Sequence, residues 1–135
     1  MVQSRQSFLD RFEYGKINIK SATDAEDQKE GIDGWIDDDI PMASRKRKKS
    51  IAEYGEISIR DSIYYPNNEY GKLINGKFRS KVYIFGFLDA IVICNVTDII
   101  DCLVSENFRK VPNPDKETWG LYIKLQNIKH ILIWK

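Results

Sequence analysis

The chain has 135 residues, of which 42% are hydrophobic and 30% are charged, and its formal net charge at pH 7 is only +1. This length fits one hydrophobic core and is too short for two, so we expect a single domain over residues 1–135. The most apolar stretch, residues 82–94, contains Asp89 and falls short of the roughly 20 residues that a membrane-spanning helix needs. We therefore expect no membrane partner.

The two cysteines, Cys94 and Cys102, lie in apolar segments with no second cysteine or histidine at ligand spacing. This pattern predicts buried free thiols in a reducing, intracellular compartment rather than a disulfide or a zinc site. The first ten residues lack the basic and apolar regions of a signal peptide. The expected location is the cytoplasm.

The first third of the chain predicts two short helices. Phe8, Leu9 and Phe12 form one helical stripe before Gly15. A capping box at residues 23–26, whose Glu26 can reach back to the first amide, then starts a second helix that ends near residue 31.

Alternating strands follow. Residues 32–36 alternate with Asp33 on the polar face, residues 37–39 form a turn, and residues 40–47 place Arg45 and Arg47 on one face. Residues 56–60 alternate again, with Glu56, Ser58 and Arg60 opposite two isoleucines.

The second half predicts the centre of the core. Residues 64–76 are rich in Asn, Pro, Gly and Tyr and are interpreted as a loop, whereas residues 81–87 and 90–94 predict a hairpin buried on both faces. A helix over residues 98–107, capped by Thr97, and strands at residues 119–125 and 131–134 complete the chain. The predicted fold is α+β, with a mixed, mostly antiparallel central sheet, an N-terminal helix pair and one later covering helix.

The charges of the chain are sorted by sign. Acids between residues 26 and 39 are followed by a basic run that could bind the phosphates of DNA or RNA, with neighbouring tyrosines available for base stacking. A solvated surface and a nuclear localisation signal are alternatives for the same run. The basic residues are Arg45, Lys46, Arg47, Lys48 and Lys49, and the tyrosines are Tyr54, Tyr64, Tyr65 and Tyr70.

Two of the acids and one of the cations suggest a metal site. Asp33 and Glu26 could ligate Mg²⁺, and Arg45 could offset the charge that develops at a phosphoryl group. The alternative is structural: Glu26 caps its helix, Asp33 ends a strand, and Arg45 is a solvated base.

The region from residue 7 to residue 60 resembles the PD-(D/E)XK nuclease superfamily, which includes Holliday-junction resolvases and many phage nucleases. By that resemblance Asp33 is the metal-binding aspartate, Arg45 replaces the lysine of the E-x-K tripeptide, and Glu13 or Glu26 is the helix-borne acid. Ala43 stands where the family has its second acid. A carboxylate at that position would share a strand face with Arg45 and is expected to point toward Asp33.

A second registration of the same motif uses Glu56 as the second acid and Arg60 or a neighbouring basic residue as the cation, with Ser58 in the place of the lysine. Either way, arginine can stabilise an anion but cannot act as a general base. The resemblance thus implies a nucleic-acid-binding protein that hydrolyses phosphodiesters with Mg²⁺, with Asp33, Arg45 and Glu56 as its catalytic candidates. The alternative is a non-catalytic binding or assembly protein on the same fold.

Overall fold

The computed structural model describes residues 19–21, 32–37 and 40–135, and only the backbone of the first of these ranges. Both predicted N-terminal helices lie outside the described residues, as do Glu13 and Glu26. The predicted turn at residues 37–39 is described only at Asp37, which lies in a turn with a positive φ of 53°.

Within these ranges the chain forms nine strands and three short helices. A single 3-10 turn, Leu125–Asn127, precedes the last strand. The strands are β1 (Ile19–Ser21), β2 (Gly34–Ile36), β3 (Ile40–Lys46), β4 (Glu56–Ser62), β5 (Val82–Gly86), β6 (Ala90–Asn95), β7 (Arg109–Pro112), β8 (Thr118–Lys124) and β9 (His130–Trp134), and the helices are α1 (Ile51–Tyr54), α2 (Glu69–Ile74) and α3 (Val96–Val104).

The described strands form two sheets. The larger has six strands in the order β1-β2-β3-β5-β6-β9, and the smaller has three in the order β4-β8-β7. All the described pairs are antiparallel except β3 and β5, which run parallel. The predicted α+β class with a mixed, mostly antiparallel central sheet is confirmed.

The predicted central hairpin is also confirmed. β5 and β6 pair from Val82 opposite Asn95 to Gly86 opposite Ile91. Tyr83 is completely buried on one face of this hairpin, and Val82 is 1% exposed on the other. Burial on both faces explains why these segments are nearly continuous in apolar residues.

The two sheets share one core. Ile57 of β4 and Ile123 of β8, both fully buried, belong to the same apolar cluster as Tyr83 and Phe85 of the large sheet. Alternation along β4 turns its isoleucines toward this core and leaves Glu56, Ser58 and Arg60 on the opposite face. The small sheet therefore has one face in the core and one polar face.

The predicted covering helix is α3, which buries Ile99 and Leu103 in the shared core. It begins at Val96 with Asn95 in the N-cap position, so the prediction of Thr97 as the cap is wrong by two residues. Within the described ranges, no helix has the length and apolar character needed to cross a bilayer.

Two elements differ from the sequence-based interpretation. Residues 64–76 were interpreted as a loop, but they contain α2, whose cap Asn68 accepts a hydrogen bond from the Gly71 amide at 2.9 Å. β7 was not predicted, and it pairs with β8 at the edge of the small sheet. A small separate sheet was not anticipated, because alternation along single strands does not indicate which strands pair.

Candidate functional site

Strand β3 directs two arginines onto the aromatic side chains of β5. Its parallel register places Ala43 beside Tyr83 and Arg45 beside Phe85. The guanidinium carbon of Arg45 lies 5.7 Å from the centre of the Tyr83 ring, and that of Arg47 lies 5.8 Å from the Phe85 ring. Both distances fit cation–π contacts.

Arg45 also bonds to two carboxylates. Its Nη1 lies 3.1 Å from Asp33 Oδ2, and its Nη2 lies 2.9 Å from Glu69 Oε2. Asp33 Oδ2 accepts a second hydrogen bond, from the Ser44 amide at 2.8 Å. Asp33 and Arg45, which the sequence analysis placed in one site, are therefore in direct contact.

Glu69 connects the two sheets. Besides Arg45 of β3, its carboxylate accepts hydrogen bonds from the Arg60 amide of β4, at 2.8 Å, and from the Tyr83 hydroxyl of β5. Burial, together with the Glu69 charge, raises the pKa of Tyr83, so its hydroxyl remains a donor. Only 10% of the Glu69 side chain is exposed.

The described residues do not fit a magnesium site. Asp33 and Glu69 supply two carboxylates, and Arg45 already donates a hydrogen bond to each. No group of three or more His, Cys, Asp or Glu side chains that could hold a metal occurs within the described ranges. Mg²⁺ prefers an octahedral set of oxygen ligands. The other predicted ligand, Glu26, lies outside these ranges.

Ala43 lies in the core. It occupies the same face of β3 as Arg45, as predicted, but its side chain is 0% exposed and belongs to the apolar cluster around Tyr83. A carboxylate there would be buried among apolar groups, which is unfavourable unless it is fully paired. The alanine is therefore explained by packing.

An open cleft lies between the end of β3 and the polar face of the small sheet. We call it the basic cleft, and its volume is about 500 Å³. Among the described residues, six cations line it against a single acid, Glu56, and four aromatic residues line it as well. The cations are Lys46, Arg47, Lys48, Lys49, Arg60 and Arg109, and the aromatic residues are Tyr54, Phe87, Trp119 and Tyr122.

Strand register explains why several of these side chains meet. Tyr122 of β8 pairs with Ser58 of β4 on one side and with Arg109 of β7 on the other. Arg60 pairs with Gly120, which lies two residues before Tyr122 along β8. Residues two apart in a strand point the same way, so one face of the small sheet carries Ser58, Arg60, Arg109, Gly120 and Tyr122. A polar face built from three strands thus becomes one wall of the basic cleft.

Aromatic rings hold two of the cations in place. The Lys49 ammonium lies 5.2 Å from the centre of the Tyr54 ring and 5.0 Å from that of Tyr122. The Arg109 guanidinium lies 4.8 Å from the Tyr122 ring and bonds to Glu56 Oε1 at 2.8 Å. Glu56, a predicted catalytic acid, therefore serves as the ion-pair partner of Arg109.

Arg47 is a partly buried cation of the cleft, and none of the described carboxylates forms an ion pair with it. Its Nη2 donates to the Ser58 carbonyl at 2.9 Å, but its Nε is buried without a hydrogen-bond partner among the described residues. Burial, opposed by attraction to Glu69, lowers the pKa of Arg47. None of the ion pairs within the described ranges includes Arg47. A buried cation without an anion is unfavourable.

The structure divides the predicted site residues into two groups. Lys46, Arg47, Lys48, Lys49 and Glu56 line the basic cleft, whereas Arg45 is not among its lining residues and bonds to Asp33 and Glu69 instead.

The predicted tyrosines are divided as well. Tyr54 lines the basic cleft, but Tyr65 and Tyr70 line a separate pocket with Asp61, and Tyr64 lines neither. Of the four predicted tyrosines, Tyr54 is therefore the one found among the lining residues of the basic cleft.

Sequence reasoning missed Glu69, Arg109, Trp119 and Tyr122 as site residues. Asn68 followed by Glu69 is the start of a capped helix, and that signal was available. Arg109 lies in a strand without alternation, so its position depends on the pairing of β7 with β8.

Scans against protein-family models, curated proteins and solved structures find no match to this chain.

Proposed function

We propose that this protein binds nucleic acid, with the phosphates held in the basic cleft. The observation that supports this most is that six cations and one carboxylate meet among the described residues of the cleft, in a chain whose net charge is only +1. Such a cleft raises the local concentration of anions even when the whole molecule is nearly neutral. Each contact between a cation and a phosphate adds affinity through counterion release.

The partial burial of Arg47 without a described carboxylate partner supports the same proposal. Its guanidinium is partly buried at the cleft wall, beside the charges of Arg45 and Arg60, and no described carboxylate pairs with it. A bound phosphate would supply the missing negative charge. Arginine is suited to this role because its donors match the geometry of phosphate oxygens.

We propose binding without hydrolysis as the principal activity. Hydrolysis with Mg²⁺, as in the PD-(D/E)XK nucleases that the sequence resembles, is a second candidate, favoured by the contact between Asp33 and Arg45. The two described carboxylates near Arg45 both accept a hydrogen bond from it, so neither is an obvious ligand for Mg²⁺.

We place the protein in the cytoplasm, or in the cytoplasm of a host cell if it is a phage protein. The supporting observation is that Cys94 and Cys102 are both free and buried. Burial raises the pKa of the Cys94 thiol, which keeps it unreactive. Buried free thiols are typical of proteins in reducing compartments.

Three exposed cations of the cleft provide the first test. The side chains of Lys46, Lys48 and Arg60 line the cleft and form no hydrogen bond or ion pair with another described residue, so replacing all three with alanine should remove charge without breaking the fold. We expect much weaker binding of a labelled oligonucleotide for every sequence tested. The slope of log affinity against log salt should fall by about two to three, because that number of counterions is no longer released.

The control is a triple alanine variant at Lys77, Arg79 and Lys81, which are equally exposed and lie outside the basic cleft. It changes the net charge by the same amount, so it should keep most of the affinity and the salt slope. Equal losses in the two variants would contradict a role for the cleft. The same incubations with Mg²⁺ or Mn²⁺ show whether the bound strand is cut.

A further inference from the structure

The basic cleft is concave, and this limits what can reach its cations. Lys46 and Lys48 come from one wall, at the end of β3, while Arg60 and Arg109 come from the facing wall, on the small sheet. Duplex DNA is usually read by an element that protrudes from the protein into a groove. Cations that converge inside a cleft can instead contact one phosphodiester chain from both sides.

Aromatic rings lie among these cations. Tyr54 is 52% exposed, and Tyr122 is half-buried at the cleft wall. Tyr122 shares its face of β8 with Gly120, whereas Trp119 points to the opposite face, where its ring lies 4.9 Å from Lys110. The rings that a base entering the cleft can meet are therefore those of Tyr54 and Tyr122.

The contacts of Lys49 and Arg109 place charge directly beside ring surfaces. Both cations lie within about 5 Å of the Tyr122 ring, in the range of cation–π contacts, and Lys49 also contacts Tyr54. Phosphate contacts and ring contacts are thus available at adjacent points along one path. Grooves that bind single strands combine these two features, because every unpaired base has a face that can stack.

We propose that the ligand of the basic cleft is single-stranded nucleic acid, with its phosphates on the clustered cations and unpaired bases against Tyr54 and Tyr122. This inference rests on the proposed function and specifies its substrate class. In a duplex the base faces are stacked on each other and are not available to these rings. The shared chemistry is an unpaired phosphodiester strand, whether DNA or RNA.

Competition binding tests the proposal. The probes are oligodeoxythymidine and oligouridine of about ten nucleotides, near the site size of known single-strand grooves, and a blunt DNA duplex of equal length. We expect at least one single strand to bind about tenfold more tightly than the duplex. Which of the two binds more tightly distinguishes DNA from RNA as the source of the strand.

Substitutions of exposed tyrosines report on stacking. Tyr54→Ala should weaken single-strand binding about tenfold and leave duplex binding nearly unchanged. Tyr64→Ala is the matched control, because Tyr64 is 65% exposed and does not line the cleft, and it should leave both affinities unchanged.

The outcomes separate the two proposals. If none of the probes binds, the proposed function itself is wrong. If the duplex binds as tightly as both single strands, or if Tyr54→Ala weakens single-strand binding no more than Tyr64→Ala does, the protein is a nucleic-acid binder whose ligand is not selected by unpaired bases, and the present inference is overturned.

Discussion

Gly120 allows the Tyr122 ring to lie against the strand. A Cβ atom at Gly120 would lie 2.6 Å from Cε2 of Tyr122 and 3.1 Å from its hydroxyl oxygen, which is closer than a stable contact permits. The atoms it would meet are at the far end of a side chain, so the ring can move. Because Tyr122 contacts both Lys49 and Arg109, that movement would disturb the cations of the basic cleft.

We therefore predict that Gly120→Ala weakens nucleic-acid binding more than it affects stability. The free energy of unfolding should change by less than about 1 kcal/mol, because alanine also restricts the unfolded chain. Oligonucleotide titration and urea denaturation measure the two effects. Gly86→Ala is the control, since a Cβ there would meet only the Arg45 carbonyl oxygen, at 3.9 Å, and it should leave binding unchanged. Unaltered affinity in the Gly120 variant would show that the ring position does not matter for the ligand.

Residue-level patterns explain which site residues the sequence could predict. Asp33 and Arg45 were found because each lies in a strand with clear alternation, and alternation fixes the face of a side chain. The burial of Ala43 was not foreseen, because a small apolar residue fits a core and a degenerate motif equally well. Only the packing of Ala43 against Tyr83 distinguishes these two interpretations.

At the scale of elements, Asp89 fixes the segment that follows the basic run. This residue, in the hairpin between β5 and β6, accepts hydrogen bonds from the Ser50 hydroxyl at 2.7 Å and from the amides of Ile51 and Ala52 at 2.8 and 3.1 Å. It acts as a second cap for α1, beside the Ser50 side chain that accepts a bond from the Glu53 amide. The direction in which Lys48 and Lys49 leave β3 depends on this anchor.

Asp89 should make the fold sensitive to acid. Burial would raise the pKa of this carboxyl, but the hydrogen bonds from Ile51, Ser50 and Ala52 outweigh it and lower the pKa from 3.8 to about 2. Since the pKa is lower in the folded state, the stabilisation is complete above about pH 4 and disappears as the pH falls toward 2.

We predict that Asp89→Asn lowers the free energy of unfolding near pH 6. The difference in this free energy between variant and parent should shrink as the pH is lowered from 5 to 2. Denaturation midpoints measured across that range for both proteins provide the test. The comparison removes the contributions of other carboxyls, such as Asp115, whose pKa is also lowered by hydrogen bonds. If the difference in stability between variant and parent stays constant with pH, the ionised form of Asp89 is not what stabilises α1.

Element prediction succeeded where a segment carries its own pattern. The β5–β6 hairpin and α3 follow from apolar runs and a helical stripe, which tertiary contacts only reinforce. β7 has the sequence Arg-Lys-Val-Pro, which has no such pattern, and it is a strand because β8 offers it a partner. α2 was obscured by a loop-like composition, although its Asn68 cap is a local signal.

At the scale of the whole molecule, Glu69 joins the large sheet to the small one. It bonds to Arg45 and Tyr83 of one sheet and to the Arg60 amide of the other while 90% of its side chain is shielded from solvent. Removing one partner of a shielded ion pair leaves the other charge uncompensated. The relative position of the two walls of the basic cleft should depend on this residue.

We predict that Glu69→Gln lowers the free energy of unfolding by about 2–3 kcal/mol and also weakens nucleic-acid binding. Asp33→Asn is the control, because Asp33 is more exposed and its described partners all lie in the large sheet, so this substitution should reduce stability and affinity less. Urea denaturation followed by oligonucleotide titration compares the two. If Asp33→Asn were the more damaging of the pair, the bond between the sheets would not be the main role of this network.

The sequence alone could indicate the α+β class but not the division into two sheets. Polar alternation in residues 56–60 correctly predicted a face bearing Glu56, Ser58 and Arg60. What that face meets depends on β8, whose Tyr122 and Gly120 come from a distant part of the chain. The basic cleft is therefore a tertiary feature, and only its Lys46–Lys49 wall is contiguous in sequence.

The pairing of β4 with β8 has a kinetic consequence. Residues 56–62 must find residues 118–124 across a long intervening chain, and such distant pairings form late because loop closure has to precede them. Partly folded molecules that contain the β5–β6 hairpin but not the small sheet lack one wall of the cleft. The appearance of binding during refolding would therefore mark the final docking of the small sheet, later than the first protection of amides in the hairpin.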